Sequence, residues 1–336
     1  MIRITSESGF RLPRLFRRRP TLEVHVPIAP TPSFLNQLRC LTHSLRRFGG
    51  AYRHAPVIAT VGGPADPGLA DRMPWLRKNG IELRWVPEAE FTRMGMYATG
   101  SRRLQHEFQA DMVLLLDADT LIRRPLDALI ETTHRDGVVA GVIAHYSPLL
   151  EWRSREQPSW ADFFALLGLK TPALDHEHTG WGYFFSDARY RYCPPYFNYG
   201  VIAAPARVIS RIGRVAEHHL IQLREALGTY FDAQLAFTAS IVELGLPTRA
   251  LPMRYNMGNN PLVESLHHRE IDRAVILHLL HEHQNRRVET FESISHLRDF
   301  VNRGDLRVTN LMAQDVIRTI LPALEAEEQT TSQAAA

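Results

Sequence analysis

The sequence predicts an α/β fold in which a largely parallel sheet is covered by crossover helices. Two observations lead there. Short apolar runs alternate with segments of helical period from residue 22 onward. Met112-Val113-Leu114-Leu115-Leu116 is a continuous apolar run bounded by charge, the pattern of a strand buried on both faces.

In order, Leu22–Ile28 alternates and predicts the first strand. Phe34 to Phe48 places Phe34, Leu35, Leu38, Leu41, Leu45 and Phe48 at helical spacing, and Gly49-Gly50 stops it. Pro56–Val61 predicts a strand, Leu69–Lys78 a helix, Ile81–Val86 a strand and Ser101–Gln109 a helix. After Met112–Leu116, Pro125 opens a helix and Val138–Ile143 is a further strand. Residues 145–195 are rich in aromatics, His and Pro, with weak period; they predict an insertion over the sheet with a short helix at Trp160–Leu167. Asn198–Ala204 is a strand, followed by helices Ala206–Leu227 and Phe231–Leu244, strands at Pro247–Leu251 and Ala274–Leu279, and helices Phe291–Asn302 and Val308–Glu325.

With 336 residues, 45% hydrophobic and 22% charged, the chain can bury a large core and is of ordinary globular composition. No apolar run reaches the ~18–20 residues a membrane-spanning helix needs. The basic N-terminus is not followed by the apolar stretch and small-residue site of a secretory leader, so none is expected. Cys40 and Cys193 lie far apart without metal-ligand spacing, which fits buried thiols in a reducing, cytoplasmic setting. The net charge is +3, nearly all from arginine. The densest cluster, Arg14, Arg17, Arg18 and Arg19, predicts a solvated arm able to touch an anionic membrane surface. No aromatic-basic platform accompanies it, so nucleic acid is not an expected partner.

Asp117-Ala118-Asp119 follows the apolar strand, where open α/β sheets place ligands. Residues two apart on a strand point the same way. Two carboxylates facing one cleft repel, and a divalent cation is their natural partner. Alone, the pair equally fits a helix cap beside a surface acid.

From Asp111 to Leu126 the sequence resembles the Asp-x-Asp segment of family 8 (glycogenin-like) glycosyltransferases. Phe197-Asn198-Tyr199-Gly200-Val201 is similar to that family's Phe-Asn-x-Gly-Val strand, and Asp232-Ala233-Gln234 to its Asp-Gln helix start. Arg254-Tyr255-Asn256 and Val275-Ile276-Leu277-His278 are similar to its Tyr-Asn segment and its histidine-ended strand, all in the family's order. The resemblance implies a GT-A fold, a Rossmann-like twisted mixed sheet flanked by helices. It implies transfer of a sugar, with retention, from a nucleotide-diphosphate sugar, UDP-sugars foremost, to a carbohydrate or other hydroxyl acceptor. It implies that Asp117, Asp119 and His278 hold Mn²⁺ or Mg²⁺ with the donor's diphosphate, Mn²⁺ suiting the imidazole better. Asn198, Asp232 and Gln234 are then the expected catalytic residues. Ala29, Arg102, Ala118 and Gly200 join Asp117 and Asp119 around the donor, the glycine allowing close approach.

The chain departs from the family where Ala29, Thr31 and Pro32 replace the first-strand Asp and Tyr that approach the base. The Lys-Pro-Trp segment after the histidine is missing; Arg286 or Arg287 is the expected substitute for its lysine, Arg103 joins Arg102 as a phosphate candidate, and a solvated surface role is the alternative for each arginine. Trp152, Trp160, Trp181, Tyr183, Phe184, Phe185, Tyr190 and Tyr192 are expected to face acceptor or donor, and residues 178–182 to form a lid. The expected organisation is a disordered arm (1–20), a catalytic domain (21–285) containing the insertion 145–195, a helical extension (286–325) and a disordered tail (326–336). A nucleotidyltransferase is the rival enzyme, but Ala29-Pro30-Thr31-Pro32 lacks a glycine-rich phosphate loop. A non-catalytic sugar- or nucleotide-binding module is the rival without chemistry.

Overall fold

The computed structural model describes residues 18–152, 156–182, 187–280 and 282–335. Arg14, Arg17, Tyr183, Phe184 and Phe185 lie outside the described residues.

In chain order the strands are β1 (Leu22–Ile28), β2 (Val57–Val61), β3 (Ile81–Trp85), β4 (Met112–Leu116), β5 (Thr120–Ile122), β6 (Val139–Ile143), β7 (His176–Glu177), β8 (Tyr192–Cys193), β9 (Phe197–Pro205), β10 (Thr248–Ala250), β11 (Met257–Gly258) and β12 (Ile276–His278). The central sheet has seven strands in the order β10-β6-β9-β4-β1-β2-β3. β3, β2, β1 and β4 are parallel neighbours; β9 runs antiparallel to both β4 and β6. This is the mixed α/β sheet expected. Every residue of β4 is buried, Val113 and Leu115 in the core on one face and Met112, Leu114 and Leu116 in the core on the other. Buried Cys40 and Cys193 are free thiols.

A three-stranded sheet, β11-β12-β5, stands beside the carboxyl end of β4. β5 departs from β4 through the turn Asp117–Thr120, and β12 pairs antiparallel with it, His278 opposite Thr120. β11 pairs parallel with β12, Gly258 opposite His278. This small sheet brings the end of the chain's last strand to the acidic motif.

Several local expectations gave way to packing. The helix placed at Ser101–Gln109 is Tyr97–Arg102 instead. Beyond it His106 stacks on His25 and bonds Thr60, Phe108 packs on His25, and the Gln109 N–H donates to Glu23 Oε1 at 2.9 Å rather than to a helical carbonyl. The helix at Leu69–Lys78 is split into Leu69–Arg72 and Trp75–Lys78, because Pro74 lacks an N–H and restricts the residue before it. The tail expected to be disordered continues the last helix, which runs from Val308 to Ala335. Glu327 is buried and bonded to Arg39, His43 and Asn79, and these contacts hold the segment. Among the described residues no helix is long and apolar enough to cross a membrane.

Candidate metal centre

Asp117 and Asp119 sit on a tight turn past β4 rather than on the strand itself. The turn closes with Thr120, whose N–H and hydroxyl both donate to the Asp117 carbonyl (3.2 and 2.8 Å). Asp117 N–H donates to Gly200 O at 2.9 Å, tying the turn to β9, and Leu279 N–H donates to Asp119 O at 2.8 Å, tying it to the end of β12. The turn thus points both carboxylates at His278. Nε2 of His278 lies 3.3 Å from Asp119 Oδ1 and 3.9 Å from Asp117 Oδ2. One ligand atom from each of the three residues falls within 4.8 Å of the others, a spacing that one divalent cation can bridge.

The electrostatics favour that use. Asp119 is 4% exposed. Burial opposes its charge, but the charge and hydrogen bond of His278 and the guanidinium of Arg287 hold its carboxyl below the ordinary range. Burial likewise opposes charging His278, and the Asp119 carboxylate, helped by Asp117, outweighs it and raises the imidazole. Arg287 pairs with Asp119 Oδ2 from the start of the helix Arg287–Thr290. Of the two arginines expected to replace the missing lysine, Arg287 is therefore the one beside the carboxylates; Arg286 pairs with Glu289 at 2.6 Å.

Gly200 belongs to the triad's packing. A Cβ there would lie 2.4 Å from His278 Cε1 and 3.0 Å from Asp117 Oδ2, so only glycine lets the ring and the carboxylate close over β9. Asn198 accepts the Gly200 N–H through Oδ1 (3.1 Å) and a bond from Asn256 Nδ2 (2.9 Å), and Asn256 Oδ1 lies 2.9 Å from His278 Nδ1. Gln234 accepts the Tyr199 N–H at 3.0 Å, joining β9 to the helix Asp232–Glu243. Asp232 is fully buried at the start of that helix. Its Oδ1 accepts the Thr229 N–H and hydroxyl (3.0 and 2.8 Å), while Oδ2 is buried without a partner. Burial, partly offset by Thr229, raises this carboxyl above its ordinary value.

Arg102 is committed to Glu90 at 2.6 Å. Its neighbour Arg103 is 1% exposed and reaches the site: NH1 contacts Leu116 O at 3.3 Å and Asp117 Oδ1 at 3.5 Å, NH2 donates to Tyr199 O at 3.1 Å, and the guanidinium stacks on the Tyr199 ring. Ala118 is buried in the core beneath the turn, so its side chain faces the sheet. Ala29 follows the carboxyl end of β1.

The aromatic insertion divides. Trp152 and Trp160 are buried in the main core, with Trp160 against Phe163 and Tyr196, so they are packing rather than acceptor surface. The expected lid is stitched down. Thr179 Oγ1 donates to Ile143 O at 3.0 Å, Gly180 N–H to His145 O at 2.8 Å, and His178 Nδ1 lies 3.0 Å from Ala144 O. Carbonyls at and just past the end of β6 take up these groups, while His178 Nε2 and Trp181 Nε1 are buried without a partner. Asn256, which the sequence marks only through the Tyr255-Asn256 pair, joins the site by linking Asn198 to His278.

No family model and no curated protein matches the sequence. Solved structures do match its fold. The galactosyltransferase LgtC, in complex with donor and acceptor sugar analogs, aligns over 84% of this chain and 98% of its own at 16% identity, with a TM-score of 0.50. The glycosyltransferase GlyE of Streptococcus pneumoniae TIGR4, in apo form, aligns over 92% of this chain and 64% of its own at 13% identity, also with a TM-score of 0.50. At such identities the likeness speaks for architecture, and the chain has the mixed α/β, GT-A-type fold of these glycosyltransferases.

Proposed function

We propose that the chain is a metal-dependent glycosyltransferase that moves a sugar from a nucleotide-diphosphate donor, a UDP-sugar foremost, to a hydroxyl acceptor with retention of configuration. The observation that carries this reading is the convergence of Asp117, Asp119 and His278 at the carboxyl end of β4 in a GT-A-type sheet. Two carboxylates and an imidazole fit Mn²⁺, and Mg²⁺ less well. When bound there, the cation neutralises the charge that develops on the departing diphosphate.

The chain's own residues do the rest. Asp119, held ionised by His278 and Arg287, is the principal ligand, and Asp117 shares its more exposed carboxylate between cation and donor. Arg287 leaves Asp119 when the donor arrives and supplies a cationic hydrogen-bond donor to the diphosphate. Asp232 Oδ2, buried and unpartnered, accepts a hydroxyl of the donor sugar. Arg103 positions Asp117 from below. The acceptor oxygen bonds to the anomeric carbon as the bond to diphosphate breaks on the same face, and the diphosphate oxygen takes the acceptor proton.

The test is a panel of nucleotide sugars assayed for hydrolysis and transfer, with Mn²⁺ or with chelator, on the unaltered protein and on Asp119→Asn. Donor turnover that needs Mn²⁺ and falls by about 100-fold or more in the variant is expected. Absence of metal-dependent turnover on every donor, or full activity in Asp119→Asn, sinks the proposal.

A further inference from the structure

We infer that Asn198 and Asn256 are positioning residues that set which ring nitrogen of His278 meets the cation. This rests on Asp117, Asp119 and His278 being a metal centre. The argument begins at a group whose polarity is fixed. The Gly200 backbone N–H can only donate, and it points at one terminal atom of Asn198 at 3.1 Å, so that atom is the carbonyl oxygen. The terminal atom of Asn256 that lies 2.9 Å from the same oxygen must then be its NH₂. The other terminal atom of Asn256 is therefore oxygen, and it faces His278 Nδ1 at 2.9 Å. An amide oxygen only accepts, so Nδ1 carries the hydrogen. Nε2, 3.3 Å from Asp119 and 3.9 Å from Asp117, is left as the ligand atom once its own proton is displaced.

Each inversion meets a penalty. Turning the Asn256 amide over sets its oxygen against the oxygen of Asn198; turning Asn198 as well sets an NH₂ against the Gly200 N–H. Asn256 and His278 are 4% and 5% exposed, so water does not readily repair a broken link. The fold thus reads a ring orientation from a backbone amide of β9, through two side chains, into the metal centre. Gly200 serves twice, as the anchor of the relay and as the gap that admits the ring.

Mn²⁺ binding, followed by the electron paramagnetic resonance of free Mn²⁺, and ¹⁵N spectra of histidine-labelled protein loaded with diamagnetic Zn²⁺ test this. In the unaltered protein His278 is expected to carry hydrogen on Nδ1 and metal on Nε2. Asn256→Leu should weaken Mn²⁺ binding by about 10–100-fold. Asn256→Asp keeps an acceptor for Nδ1–H but sets an oxygen against Asn198 Oδ1, so it should retain the tautomer and bind Mn²⁺ more tightly than Asn256→Leu and less tightly than the unaltered protein. Asn198→Ala frees the Asn256 amide and should cost less than Asn256→Leu. Metal on Nδ1, or unchanged affinity in Asn256→Leu, overturns the relay while leaving the metal centre standing. If Asn256→Leu does not fold, the tautomer of the unaltered protein and the Asn256→Asp affinity decide. An unaltered protein that takes up neither ion overturns the metal centre and the relay together.

Discussion

At the scale of single residues, Arg287 has two partners to choose from. Its guanidinium sits on Asp119 Oδ2, the carboxylate that a cation also needs. Arg287→Ala should therefore tighten Mn²⁺ binding, because Asp119 is released, and should slow sugar transfer by about 10- to 100-fold, because the diphosphate loses a charge-assisted donor. Metal titration and steady-state rates on one preparation measure both. Affinity and turnover falling together would make Arg287 a structural partner of Asp119 and nothing more. The opposed signs are the diagnostic, since loss of structure cannot improve binding.

At the scale of elements, the candidate metal centre depends on β5, a strand of three residues. One edge of β5 pairs with β12. On the other, the Ile122 N–H donates to the hydroxyl of Ser44 at 2.9 Å, and Ser44 is wholly buried in the helix Pro32–Phe48. That hydroxyl in turn donates to Leu41 O at 2.7 Å. Ser44→Ala strands a buried backbone donor, which costs about 1–3 kcal/mol. Because β5 carries the turn that aims Asp119, the same change should weaken Mn²⁺ binding with no ligand altered. Thermal unfolding and metal titration check the two halves, and unchanged values in both would show that β5 is held by β12 alone.

At the scale of the whole molecule, the last helix closes the chain onto its beginning. Glu327 receives Arg39 at 2.9 Å and His43 at 3.1 Å from the first helix, and Asn79 at 2.9 Å from the loop after Trp75–Lys78. Burial disfavours its charge, yet the hydrogen bonds from His43, Asn79 and Arg39 hold the carboxyl at about 2, against an ordinary 4.5. A depressed carboxyl stabilises the fold above its unfolded value, and that stabilisation is lost as pH falls from about 4.5 towards 2. Glu327→Gln leaves the buried Arg39 without its main counter-charge and should cost about 3 kcal/mol near neutral pH. The gap between variant and unaltered protein should shrink as pH is lowered through that window. Unfolding curves across pH measure it, and a gap that stays constant would exclude Glu327 as the acid-sensitive group.

By itself the sequence determined what depends on neighbours along the chain. The apolar run Met112–Leu116 carries the pattern of a strand with two buried faces, and Ala206–Leu227 that of a helix, found at Ala206–Ala226. The order of Asp117, Asn198, Asp232, Asn256 and His278 was visible too, and with it the candidate triad. Tertiary structure alone decided which atoms meet. It set Arg103 rather than Arg102 against Asp117, Arg287 rather than Arg286 against Asp119, and the lid segment against the carbonyls of β6. It also buried Glu327, within the segment expected to be loose, because Glu327 finds its partners on elements near the start of the chain. The physical reason is range. Hydrophobic period is written in residues three or four apart, whereas the bonds that orient His278 join β9, the residue before β11 and β12, and these meet only after the sheets have closed.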